Sequence, residues 1–202
     1  MSNKFVSPLF YSDLFVKQNV GTDKQRKVLL DKINYLKKNN IKSSDGSNEG
    51  CFRTTYEYGE ELDFLREIIK HSVIEISGYY ADRDETFKMI LSQDVQLCDF
   101  SIWTNVNEPG SANVIHTHKE FDFACTYNLQ TTGTGGLIFK NPANLLSDCS
   151  NKSPFTRKVK VEPQDGDLFI WPAWVPHEVE INKSNKQRIN IATNVKLVGE
   201  NK

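Results

Sequence analysis

Several classes of protein are excluded by what this chain lacks. Its 202 residues include only four cysteines, Cys51, Cys98, Cys125 and Cys149, with no C-x-x-C pair and no dense spacing. A disulfide-stapled scaffold is therefore excluded, and a reduced, cytoplasmic protein is expected. No run approaches the ~18 apolar residues that cross a bilayer, and the opening MSNKFVSPLFYSDLF has no uninterrupted apolar stretch. Neither membrane insertion nor secretion is expected. A charge excess is missing as well: Lys+Arg 25 against Asp+Glu 26 gives a formal charge of −1. Without a global basic field, nucleic acid is not indicated as a partner. What is present is globular in type, at 38% hydrophobic, 11% aromatic and 25% charged residues. Disorder, collagen and coiled coil are ruled out, and the length suits a single domain over residues 1–202.

The chain changes character near residue 95. Before it the apolar spacing is helical, and residues 1–94 read as a helical support and entrance region. Thr22 and Gln25 have capping-box spacing, and Val28, Leu29, Ile33 and Leu36 can share one stripe of a first helix. Its basic residues, Lys24 to Lys42, are offset by Asp23 and Asp31 and read as a solvated face. The polar stretch Asn39 to Gly50 reads as an exposed loop. Leu62, Leu65, Ile69, Val73 and Ile76 then predict a second helix from Glu60 to Gly78, on which His71 is a structural residue.

After residue 95 the period is two. Strands are expected at Val95–Asn105, Val114–His118, Asp122–Leu129, Gly136–Lys140, Lys158–Glu162, Asp167–Trp171, Glu178–Ile181 and Gln187–Leu197. So many short strands over residues 95–197 predict a sandwich or jelly-roll barrel. The two helices, unable to bury their stripes alone, pack on one face of it.

Histidine is scarce, and three of the four fall in two short segments, NVIHTHKEFD and WPAWVPHEVE. His116 and His118 are two apart in an expected strand, so their side chains share a face with Cα atoms roughly 6.6 Å apart. Two imidazoles so placed converge on one metal ion, and His177 can supply a third ligand from an adjacent strand. Imidazole suits Fe, Zn, Cu and Ni alike. Glu120 opens a second register, because His118 and Glu120 are also two apart. His116 and Glu120 would stand ~13 Å apart on a regular strand, too far for one ion. Eleven residues beyond His177, the segment QRINIATNV places Arg188 and Asn190 on one face. A guanidinium fork there can grip the far carboxylate of a metal-chelating dicarboxylate, with Asn190 as a further donor.

These motifs, WTNVNEPGSANVIHTH, FACTYNL, GGLIFKNP, PQDGDLFIWPAWVPHEV and RINIATN, resemble the iron(II)- and 2-oxoglutarate-dependent oxygenases. Within them the likeness is to a group common in marine bacteria and their tailed phages. The resemblance covers about residues 95–197; the amino-terminal half matches only at SPLF and the polar loop ending SNEG. It implies a double-stranded β-helix, the jelly-roll relative of cupins, with helices packed on one face. By the same resemblance His116, His118 and His177 hold Fe(II), with a histidine standing where the family places a carboxylate. Arg188 binds the far carboxylate of 2-oxoglutarate, and Asn128 falls where many relatives place a tyrosine that touches it. Gly166, Asp167 and Pro172 match the turn and strand that present the distal histidine.

The implied activity is that of a hydroxylase. It consumes 2-oxoglutarate and dioxygen, releases succinate and carbon dioxide, and oxidises a C–H bond of a substrate the sequence leaves unnamed. Trp103, Trp171, Trp174 and Phe139 are candidates to wall its pocket. The setting would be cytoplasmic (the host cytoplasm for a phage-encoded chain), and open jelly-roll edges leave room for a homodimer. The alternative is a cupin-type three-histidine metalloprotein, a thiol dioxygenase or isomerase that does not use 2-oxoglutarate. Gly110, separated from His116 by five residues, and Gly166 before Pro172 and His177, approximate the two cupin motifs. Arg188 discriminates, since a cupin has no need of it.

Overall fold

The computed structural model describes residues 12–39, 41, 48–54, 59–83, 95–142 and 158–199. The SPLF stretch, most of the Asn39–Gly50 loop and Cys149 lie outside them. In chain order the elements are β1 (Phe15–Lys17), α1 (Asp23–Lys38), β2 (Asn48–Arg53), a 3-10 turn (Glu60–Leu62) and α2 (Asp63–Ala81). Then follow β3 (Val95–His116), β4 (Phe123–Gln130), β5 (Leu137–Lys140), β6 (Lys158–Val161), β7 (Leu168–Pro172), β8 (His177–Val179) and β9 (Arg188–Gly199).

Helix α1 begins where the capping box puts it. The Gln25 N–H donates to Thr22 Oγ1 at 3.2 Å, and the Thr22 N–H donates to Gln25 Oε1 at 2.8 Å, satisfying two donors that a helix start leaves open. Leu29, Ile33 and Leu36 are buried, whereas Val28 is exposed and does not belong to the stripe. Helix α2 runs past Gly78 to Ala81, with Leu65, Ile69, Val73 and Ile76 buried and Leu62 buried just before it. His71 sits on its exposed side, with Nδ1 2.8 Å from the Glu67 carbonyl oxygen.

All strand pairings are antiparallel, in the order β1-β7-β4-β9-β3-β8-β5-β6, with β2 paired to β3 off this path. The expected strands Val95–Asn105 and Val114–His118 are one continuous 22-residue strand, β3. Its first part pairs with β9 from Val95 to Asn107, and its last part pairs with β2 and β8. At the Pro-Gly pair 109–110, Gly110 takes φ 88° and the strand continues through it. Short β1 and β2 were not expected from the sequence.

The sheet has two unlike faces, and they divide the labour. Ile102, Val106, Phe123, Cys125, Tyr127, Leu168, Ile170, Ile189, Ile191 and Val195 form the main core with both helices. Alternate residues of the same strands point the other way, where Trp103, Asn105, Thr126, Asn190 and Ala192 line a pocket with Leu137, His177 and Val179 from β5 and β8. The sheet therefore curls over on itself into a jelly-roll core, backed by helices outside and hollow within.

Candidate metal centre and its pocket

The ends of two strands assemble the centre. His116 closes β3 and pairs in register with His177, which opens β8. Strand geometry ends at His116, but the backbone stays pinned because the His118 N–H donates to the Ala173 carbonyl at 3.0 Å. One ligand-capable atom from each of His116, His118 and His177 lies within 4.8 Å of the others. Glu120 is outside this group, exposed and with φ 72°, so the side chains brought together are those of His116, His118 and His177.

Backbone carbonyls fix the imidazoles. His116 Nδ1 is 2.7 Å from the Val114 carbonyl oxygen, and His177 Nδ1 is 2.9 Å from that of Val175. A carbonyl only accepts, so each Nδ1 carries the proton and each Nε2 presents a lone pair. His118 Nε2 then faces His177 Nε2 at 3.2 Å. Burial lowers the proton affinity of all three; neighbouring imidazoles add to it at His118 and His177, and the Arg53 charge adds to it at His116 and His118. His118 and His177 are each lowered to about 3, and His116 is lowered too. All three are neutral near pH 7, as metal binding requires. Trp171 packs edge-on against His177 with ring centroids 4.9 Å apart, and Phe139 tilts on it at 6.2 Å.

The histidines open into a pocket of about 340 Å³. Arg188 lies within it as the largest fully buried side chain among the described residues, its Nη1 donating to the Gly135 carbonyl at 2.5 Å. Its buried Nε has no partner, and among the described residues Arg188 forms no ion pair. Burial pushes this guanidinium down to about 10, against the opposing pull of Glu162 and Glu180, and it remains charged at neutral pH. Asn190 also lines the pocket, and its amide donates to Thr126 Oγ1 at 2.9 Å. Asn128 does not line it. Fully buried, its amide donates to the Asp167 carbonyl at 3.1 Å, tying β4 to the turn before β7. Trp103 and Trp171 wall the pocket, Phe139 packs in the small core behind His177, and Trp174 is exposed outside it.

Residues 101–194 match a family model described as "Putative 2OG-Fe(II) oxygenase". The similarity to 2-oxoglutarate- and Fe(II)-dependent oxygenases spans this core. Solved structures share this fold at low identity. A prolyl-4-hydroxylase from Pseudomonas putida is 14% identical, with 92% of this chain and 93% of that one covered and a TM-score of 0.64. A prolyl hydroxylase from Trichoplax adhaerens, solved with a hypoxia inducible factor peptide fragment, is 14% identical over 91% and 83%, at 0.63. The epimerase SnoN, solved with Fe3+ and alpha ketoglutarate, is 15% identical over 91% and 78%, at 0.59. No curated protein sequence matches the chain.

The residues fit the cofactors of this oxygenase family. Two nitrogens each ~2.0–2.1 Å from one ion and ~100° apart stand roughly 3.1 Å from each other, close to the 3.2 Å between His118 and His177. That contact is held either by a proton on His118 Nε2, donated to His177 Nε2, or by a cation that takes the proton's place. At the other end of the pocket Arg188 is a buried cation with no direct ion pair, only the more distant pull of Glu162 and Glu180, a costly arrangement that a bound carboxylate relieves. The residue that sequence reasoning missed is Arg53 on β2. Its guanidinium lies over the Trp103 ring at 4.5 Å and lines the same pocket, and its charge bears on His116 and His118. Asn105, Asn113, Thr126 and Asn194 also line the pocket and were not singled out.

Proposed function

We propose that the protein is a hydroxylase in which His116, His118 and His177 hold Fe(II) and Arg188 binds the distal carboxylate of 2-oxoglutarate. Bound iron and 2-oxoglutarate together supply the oxidising chemistry, with succinate and carbon dioxide as products. The chain's residues position and enclose it. Val114 and Val175 carbonyls orient two of the imidazoles, and second partners of this kind tune the ligands they hold. Trp103 and Trp171 exclude water beside the metal. Asn190 holds Thr126 against the same wall, and Asn128 stiffens the strand beneath it. Free thiols at Cys51 and Cys125 suit a reducing, cytoplasmic setting.

A single observation carries this reading: a fully buried guanidinium without an ion pair shares one pocket with three converging imidazoles. A three-histidine cupin would have no use for that cation. The test is anaerobic titration of the Fe(II)-loaded protein with 2-oxoglutarate, watched for a visible metal-to-ligand charge-transfer band. The band is expected in the parent protein. In Arg188→Met its appearance should need ~10–100-fold more 2-oxoglutarate, the worth of a charged hydrogen-bonded pair. The same variant should melt no lower than the parent, because it removes a buried charge that has no direct ion pair. An unchanged affinity would transfer the protein to the cupin reading.

A further inference from the structure

The pocket runs lengthwise along β9, where Arg188, Asn190, Ala192 and Asn194 all line it. Alternate residues of a strand share a face at ~6.6 Å steps, so Arg188 and Asn194 mark opposite ends. Cross-strand partners show which end is the metal's. Asn194 pairs with Ala124 on β4, and Ala124 pairs with Trp171 on β7. Residues directly opposite one another share a face, so carboxamide and indole stand in one row with only Ala124 between them. Trp171 packs edge-on against His177, ring centroids 4.9 Å apart. Trp103, opposite Ala192 on β3, lies 6.1 Å from the His118 ring. Arg188 is thus at the far end, and Asn194 stands beside the metal ligands.

Elsewhere in the wall, polar side chains engage one another. The Asn190 amide donates to Thr126 Oγ1 at 2.9 Å, and Asn113 Oδ1 accepts from Asn107 Nδ2 at 2.8 Å. The row beside the metal differs. Asn194 is 8% exposed and Trp171 3%, yet Asn194 Oδ1 and Trp171 Nε1 have no hydrogen-bond partner. A buried polar atom left without its bond costs free energy. Both residues line the cavity, where a ligand can supply what is missing. Turning the carboxamide over exchanges its ends and leaves the same functions on offer: one acceptor and one N–H donor, with the indole N–H as a second donor.

The shape of a carboxamide narrows the choice of ligand. Its two ends diverge, and hydrogen bonds weaken steeply when bent, so one hydroxyl oxygen meets both poorly. A carboxylate has acceptors only and leaves the carboxamide oxygen unpaired. A second amide edge, carbonyl beside N–H, pairs with both ends at once, and its carbonyl keeps a second lone pair for the indole.

Resting on the function proposed above, we propose that Asn194 and Trp171 recognise an amide of the primary substrate whose carbonyl and N–H lie side by side. Primary carboxamides and lactam rings have such an edge. A trans peptide bond does not, because its C=O and N–H point opposite ways. At about 340 Å³ the pocket lies at the small end of ligand sites, ~300–1,000 Å³, and 2-oxoglutarate takes part of it. The amide enters as a small molecule or as the tip of a longer one.

The test uses the holoenzyme loaded with Fe(II) and saturating 2-oxoglutarate without oxygen, titrated calorimetrically with two pairs that differ at the N–H. 2-Pyrrolidinone against γ-butyrolactone probes a lactam edge, and butyramide against butyrate probes a primary carboxamide. The amide of at least one pair should bind tenfold tighter or more, since its rival leaves a buried acceptor unpaired. The pair that shows the preference identifies the source. Asn194→Leu should erase it. Trp171→Phe keeps a ring against His177 and loses the indole N–H, so it should weaken both members of that pair several-fold and preserve their ratio. Equal binding within both pairs, tighter binding of butyrate or the lactone, or a preference that survives Asn194→Leu overturns the proposal. So does a Trp171→Phe protein that binds the amide as tightly as the parent. A charge-transfer midpoint moved tenfold or more towards higher 2-oxoglutarate in Asn194→Leu would place the carboxamide in the cosubstrate site and overturn it as well. A parent protein without the band would overturn the function proposed above, a separate and recognisable failure.

Discussion

Burial sets the protonation of the histidines, and protonation links the metal centre to stability. An unfolded histidine titrates near 6.5, while His118 and His177 are lowered to about 3 in the folded chain by burial and neighbouring imidazoles. Between those values the unfolded chain binds protons that the folded chain refuses. Stability contributed by the neutral imidazoles is therefore whole above about pH 6.5 and is lost as pH falls towards 3. The urea midpoint of the metal-free protein should drop between pH 7 and pH 5, and His118→Gln should flatten the slope. A midpoint independent of pH in the parent would mean that the imidazoles accept protons in place. The same residues show what a sequence discloses at this scale. His116, His118, His177 and Arg188 were legible because scarce, chemically distinctive side chains fell at strand-like spacing. Arg53 was not legible, because its importance comes from lying over Trp103, a contact made only when β2 pairs with β3.

At the scale of elements, local signals held and long-range pairing did not announce itself. Both helices could be read from their apolar stripes, since helix period and capping are properties of neighbouring residues. Thr22→Ala removes one bond of the capping box seen at the start of α1 and should cost about 1 kcal/mol, measured by chemical unfolding; a change within error would show that tertiary packing alone fixes this helix end. β1 is too short to show alternation and the segment NEGCFR of β2 has no β-branched residue, so their strand character is imposed by partners far along the chain. The turn after β4 has a more visible logic. Gly135 takes φ 103°, a conformation open to glycine, and so turns its carbonyl to Arg188. Asp165 braces the start of that turn by accepting from the Thr131 and Thr132 backbone N–H groups at 2.6 and 2.8 Å.

On the scale of the whole molecule, the helices cover one face of the sheet and the chemistry occupies the other. No helix among the described residues is long and apolar enough to cross a membrane. The ends of the strand order are blunted. β1 is three residues long, and β6 exposes Lys158 and Lys160, features that discourage edge-to-edge pairing. Light scattering should accordingly give the mass of one chain, 23.1 kDa; twice that mass would show that another surface mediates a homodimer.

Strand β2 stands apart from the path that links all other strands and touches the sheet only through β3. His116, His177 and Arg188 come from β3, β8 and β9, and His118 from the stretch just after β3. Arg53 and the histidine cluster thus have separate addresses in the chain. A change in this one peripheral ribbon would reshape the pocket wall over Trp103 and leave the three imidazoles and Arg188 on strands it does not interrupt.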